Sequence, residues 1–134
     1  MKEEKSMVYF NEVQKTFCYT VRDFATKELA SGAMDRAKLD HITPEVINKL
    51  ANAGLLKLTI PAKYGGKPKD SVSIGIVFEE ICKVDFSPSI LLISQVVIPL
   101  MMEWAVEELR EEWLPILGSG GKIPCFGNTE PDCG

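Results

Sequence analysis

The sequence predicts a mainly helical domain that gives way, near its end, to a short β-like segment. Three observations carry this. Apolar residues recur at helical intervals through most of the chain, Pro and Gly signals separate the runs, and the period changes after Gly118-Ser119-Gly120-Gly121. A lone strand has nothing to pair with. Pattern alone therefore gives a helical domain followed by the opening of a second one.

The first run is Asn11 to Leu29, where Val13, Phe17, Val21, Phe24 and Leu29 form an apolar face between charged positions. Ser31-Gly32 closes it, and Asp35 to Asp40 reads as a charged connector. Thr43-Pro44-Glu45 is a start signal: a hydroxyl cap, Pro at the first helical position and an acid in the first turn. Val46, Ile47, Leu50 and Ala51 follow as the apolar side, Gly54 ends the helix, and Leu55 to Leu58 has room for one further turn. Ile60 to Gly66 is a loop. Its Gly65-Gly66 lacks the flanking residues of a phosphate-binding motif and reads as a tight turn.

Ser71 to Val84 is nearly continuous in apolar residues and long for a strand, so it reads as a mostly buried helix. Glu79-Glu80 suggests acid–base chemistry at first sight. Adjacent helix residues point about 100° apart, so an inter-helix or helix-end ion pair is the better reading. Ser87-Pro88 repeats the cap-then-Pro signal ahead of Ile90 to Met102, the most apolar segment. This reads as a central helix buried on most sides and shorter than the roughly 20 apolar residues of a membrane span. Its Ser89, Ser94 and Gln95 need polar partners or a cavity. The acidic stretch Glu103 to Glu112 opens the last helix, whose apolar face is Leu109, Trp113, Leu114, Ile116 and Leu117. Such a stretch is a solvated face more often than a docking patch.

Composition excludes several classes. The chain has 134 residues, 46% apolar and 25% charged, and a net charge of −4 without a basic cluster. That is an ordinary soluble globular domain, not a nucleic-acid surface. The four cysteines at 18, 82, 125 and 133 form no C-x-x-C pair, and His41 is the single histidine, so neither a metal site nor a disulfide framework is expected. Met1 to Lys5 carries charges of both signs ahead of no apolar run, unlike a signal or transit peptide. A cytoplasmic location follows as the expectation.

The order of landmarks then resembles the N-terminal part of the acyl-CoA dehydrogenase family. The matching pieces are Arg22-Asp23-Phe24-Ala25, Pro44-Glu45, Ala53-Gly54-Leu55, Ile60-Pro61 with Tyr64-Gly65-Gly66, and Glu79-Glu80-Ile81. Glu107-Glu108 with Trp113-Leu114-Pro115, and finally Thr129-Glu130-Pro131 with Gly134, complete the series. The resemblance implies an all-α, six-helix N-terminal domain over residues 1–121, and over 122–134 the first strand of a flavin-binding middle domain in which the sequence stops. It implies a parent enzyme of acyl-CoA metabolism, commonly a homotetramer. In that family FAD lies between domains and an acyl-CoA thioester is oxidised to the 2,3-enoyl-CoA. A carboxylate base takes the α-proton, hydride passes to the flavin, and electrons leave to an electron-transfer flavoprotein.

Carried over by position, Phe126, Asn128, Thr129 and Gly134 are the implied cofactor contacts. Ser89, Leu92 and Val96, at i, i+3 and i+7, are implied to face the acyl pocket, although ordinary core packing explains them equally well. No catalytic residue falls in this segment, so the fragment alone is expected to be inactive. Asn128 stands where the family commonly has an apolar residue, and Val106 where a capping Ser or Thr is common. Two other readings stay open: a free-standing helical interaction or assembly module without catalysis, and a fragment of an acyl-CoA oxidase.

Overall fold

The computed structural model describes residues 9–127 and 130–132 and is helical, as the patterning requires. Among the described residues there are six α-helices: α1 Glu12–Phe24, α2 Ala33–Arg36, α3 Pro44–Asn52, α4 Ser71–Val84, α5 Ser94–Trp104 and α6 Glu107–Gly118. α1 starts where a reciprocal cap forms. The Asn11 side chain accepts from the Gln14 N–H at 2.9 Å, and the Gln14 side chain accepts from the Asn11 N–H at 3.1 Å.

The elements differ from the sequence reading in four places. The end of the first run is not α-helical, because α1 widens into a π turn over Ala25–Leu29. The expected connector contains α2, since Gly32 in the left-handed region (φ 79°) lets the chain turn and restart at once. The turn expected at Leu55 to Leu58 is not helical. Gly54 (φ 76°) breaks the chain there, and Leu55, Leu56 and Leu58 drop directly into the core. Finally, Ser87–Ile93 is wound as a 3₁₀ stretch, and the α-helix begins only at Ser94. The N-cap of this stretch is Phe86, which makes no side-chain capping bond, and the Ser87 N–H donates instead to the Asp85 side chain just outside it. Thr43 holds the N-cap position of α3 without making a side-chain capping bond.

α1 packs along α4. The main core joins Val21 and Leu29, from α1 and its π turn, to Leu50, Leu56, Val77, Ile81 and Leu92. Each such side chain, taken fully out of water, contributes about 1.5–3 kcal/mol. A second cluster of Ile60, Tyr64, Ile98, Leu114 and Leu117 seats α5 and α6 on the loop after α3.

Ser87–Trp104, at 18 residues and a mean hydropathy of 1.3, is as long and apolar as a short membrane span. In this fold a third of it is buried, and Leu91, Leu92, Ser94, Gln95 and Ile98 face the interior. The helix is therefore buried on one side only, because Val96 and Trp104 lie on the open side, 58% and 78% exposed. Residues 123–127 carry neither helix nor strand, and Glu130 stands in a single bridge.

Candidate functional site

α5 and α6 are joined by only Ala105 and Val106 and pack against each other. Both helices and the start of the terminal segment line an apolar groove of about 450 Å³. Val97 and Met101 come from α5, Leu109 and Trp113 from α6, and Ile123 and Cys125 from the terminal segment. Phe126 follows immediately, 56% exposed. A larger hollow of about 570 Å³ on the outer face of α1 is lined by Tyr19, Thr20, Arg22, Asp23 and Thr26. It is an open hollow, and the one cation among its lining residues is already engaged with Glu80. The groove is thus the better candidate for binding, being concave and mostly apolar.

The buried side of α5 carries a polar network. Gln95 Nε2 donates to Ser94 Oγ at 2.9 Å and to the Leu55 carbonyl at 3.4 Å, while Gln95 Oε1 accepts from Thr59 Oγ1 at 3.3 Å. Ser94 Oγ donates to the Leu91 carbonyl at 3.0 Å. Both buried side chains therefore have the partners that their burial demands.

The residues singled out from the sequence fall in different environments. Leu92 is fully buried in the main core, Ser89 is half-buried and Val96 is exposed. The change from 3₁₀ to α winding between Leu92 and Val96 breaks the helical spacing that placed all three on one face. Phe126 is exposed and follows the groove residue Cys125 in sequence, while Asn128, Thr129 and Gly134 lie outside the described residues.

Glu79 and Glu80 are ion-pair residues. Glu79 holds Lys83 at 2.7 Å, and Glu80 holds Lys83 at 2.7 Å and Arg22 at 2.7 Å. Burial pushes the Glu80 carboxyl up, but the hydrogen bonds and charges of Arg22 and Lys83 outweigh it and hold the group below the ordinary glutamate range. Burial, with the Glu80 charge beside it, raises the Cys18 thiol, which donates to Glu80 Oε1 at 3.7 Å and stays protonated.

Two clusters carried no sequence signal. Glu107, the first residue of α6, accepts from Lys63 and from the Tyr64 hydroxyl, each at 2.8 Å, and is held below its usual range by those two bonds. This fastens the Tyr-Gly-Gly loop to the start of the groove wall. Arg36 and Asp85 form the other cluster, at 2.7 Å. Both join residues more than 40 positions apart, a distance at which sequence periodicity is silent. Among the described residues no group of three or more His, Cys, Asp or Glu converges, and Cys18, Cys82 and Cys125 are free thiols.

Comparison with known proteins gives a consistent picture. A family model described as "Acyl-CoA dehydrogenase, N-terminal domain" matches residues 11–121. An acyl-CoA dehydrogenase of Bacillus subtilis is 31% identical over 116 residues, covering 85% of this chain and 31% of that protein. The caffeyl-CoA reductase-Etf complex subunit CarC of Acetobacterium woodii is 32% identical over 131 residues, covering 95% of this chain and 34% of that protein. The crystal structure of an acyl-CoA dehydrogenase from Geobacillus kaustophilus superposes with a TM-score of 0.82 at 28% identity, over 95% of this chain and 34% of that one. This chain spans about a third of the length of each of these relatives.

Proposed function

Since this chain belongs to the acyl-CoA dehydrogenase family, we propose that it is the N-terminal helical part of an FAD-dependent enzyme that oxidises an acyl-CoA thioester to the 2,3-enoyl-CoA. The observation that carries the proposal is the apolar groove between α5, α6 and residues 123–125, with the exposed Phe126 next in sequence. An alkyl chain is matched by such walls, and an exposed aromatic side chain beside them suits the edge of a flat ring.

The cofactor positions in this reading come from the family resemblance. Phe126, Asn128, Thr129 and Gly134 are the positions that would hold it, the first by its exposed ring, the others by backbone groups and the Thr hydroxyl. When bound, the flavin supplies the hydride acceptor for the oxidation. The chain's own contribution is then binding and exclusion of water. Val97, Met101 and Trp113 line an apolar wall, the Ser94–Gln95 network keeps its polar atoms occupied, and Glu107 with Tyr64 fixes the start of α6. The base that removes the α-proton, most of the cofactor site and the tetrameric assembly belong, in this reading, to parts of the enzyme beyond this domain. Residues 1–134 alone are inactive.

The test is product analysis with the enzyme that contains this chain. Formation of 2,3-enoyl-CoA without oxygen, with electrons passed to an electron-transfer flavoprotein, supports a dehydrogenase; that the A. woodii relative is a subunit of an Etf complex favours this acceptor. Product formation coupled to oxygen uptake moves the assignment to an oxidase. The exposed Phe86, Trp104 and Val106 favour a second reading, a helical docking module without catalysis. Acyl-CoA turnover by the enzyme rules that reading out.

A further inference from the structure

The turn after α1 and the end of α4 meet at one buried carboxylate. Asp85 is 4% exposed, and each of its oxygens has a separate partner. Oδ2 accepts from Arg36 Nε at 2.7 Å, and Oδ1 accepts from the Ser87 N–H at 3.0 Å. Arg36 directs its other two nitrogens to backbone carbonyls, Nη1 to Ser31 at 2.9 Å and Nη2 to Leu29. One guanidinium thus ties the end of the π turn and the left-handed Gly32 turn to the residue that starts the 3₁₀ stretch. Removing either charge leaves the other buried without its partner, so the cluster holds together as a unit.

What it holds is a choice of winding. A 3₁₀ residue advances about 2.0 Å against about 1.5 Å for an α residue, and turns about 20° further. Over Ser87–Ile93 a change to α winding shortens the stretch by about 3.5 Å and takes Leu92 off the core-facing side. The Ser87 N–H sits at the first residue of the stretch, where a side-chain acceptor fixes how the winding begins.

We propose that Arg36 and Asp85 are positioning residues for substrate. Through Ser87 they set the winding of Ser87–Ile93, and with it the advance and rotation of α5, which carries Val97 and Met101 into the apolar groove. Neither residue touches the substrate. The inference rests on the acyl-CoA reading given above.

The test uses the full-length holoenzyme with two variants. Asp85→Asn keeps an oxygen for the Ser87 N–H and removes the charge that Arg36 needs. Arg36→Lys keeps the charge and gives up the carbonyl bonds, and as the milder change it preserves a folded comparison if Asp85→Asn does not fold. KM and kcat are measured separately for acyl-CoA substrates of increasing chain length. The expected result is a changed order of preference, by about tenfold between short and long chains and mainly in KM, the scale on which an apolar pocket resolves added methylenes. Loss by one common factor at every chain length, or an unchanged profile in the folded Arg36→Lys enzyme, overturns the proposal. Absence of turnover by the wild-type enzyme is a distinct outcome that overturns the acyl-CoA reading and this inference with it.

Discussion

Arg22 on α1 reaches Glu80 on α4 with two nitrogens, Nε 2.7 Å from Oε2 and Nη2 3.2 Å from Oε1. The carboxylate is the buried member, its side chain 4% exposed against 29% for Arg22. This asymmetry decides which partner is costlier to lose. Arg22→Met leaves a buried carboxylate with Lys83 and the weak Cys18 thiol donor, at a cost of about 3 kcal/mol, the low end for breaking a buried pair. Glu80→Gln leaves a guanidinium that still meets water, and the cost falls to about 1–2 kcal/mol. Urea unfolding of the two variants measures both values. A larger loss for Glu80→Gln contradicts the assignment of the carboxylate as the buried partner.

Two glycines give opposite expectations for the same substitution. A Cβ on Gly66 falls 1.7 Å from the Ile60 carbonyl oxygen, and backbone cannot give way as a flexible side chain does. Gly66→Ala therefore costs more than about 3 kcal/mol or prevents folding. Gly75 lies in the middle of α4, exposed, with nothing within 4 Å of its Cβ position. Gly75→Ala is expected to stabilise by about 1 kcal/mol, from helix propensity alone. Thermal melting of both variants checks the contrast.

Stability is expected to fall in acid. Asp70 caps α4 by accepting from the Ser73 N–H and hydroxyl, each at 2.9 Å, and also takes Gln14 of α1 at 3.1 Å. The Ser73 bonds hold Asp70 below its ordinary range, and Glu80 is held down as described above. Between the ordinary carboxylate range and those lower folded values the unfolded chain binds more protons than the folded one. The contribution is therefore fully present above about pH 4.5 and is lost as pH drops through the folded values. Urea midpoints taken from pH 7 downward should stay nearly level to about pH 5 and then decline, less steeply in Glu80→Gln. A midpoint that rises on acidification contradicts this.

Much of this fold is legible in the sequence because its long helices are amphipathic and well punctuated. α1 and α4 follow from their apolar spacing, and Gly54 and Gly32 mark the turns where the structure has them. Winding is another matter. The apolar spacing of i, i+3 serves α and 3₁₀ geometry alike, so Ser87–Ile93 reads as α until the Asp85 bond to Ser87 is seen. Asp85 is in turn bonded by Arg36, 49 residues away. Exposure is equally hidden, since Val96 and Trp104 are as apolar as the core residues and differ only in what packs against them. The ion-pair role of Glu80 was accessible, because adjacent helix positions cannot converge on one atom. Its partner, Arg22, was visible as a matching landmark but not as a contact.

On the function proposed above, an acyl-CoA thioester delivers electrons to a flavin held by the protein that contains this chain. The direct measurement is anaerobic titration of that purified protein with acyl-CoA of several chain lengths, following the flavin absorbance. The predicted result is a bound FAD whose oxidised spectrum bleaches with at least one acyl length while the 2,3-enoyl-CoA appears. A folded protein that retains fully oxidised flavin with every acyl-CoA, or that binds no flavin, contradicts it.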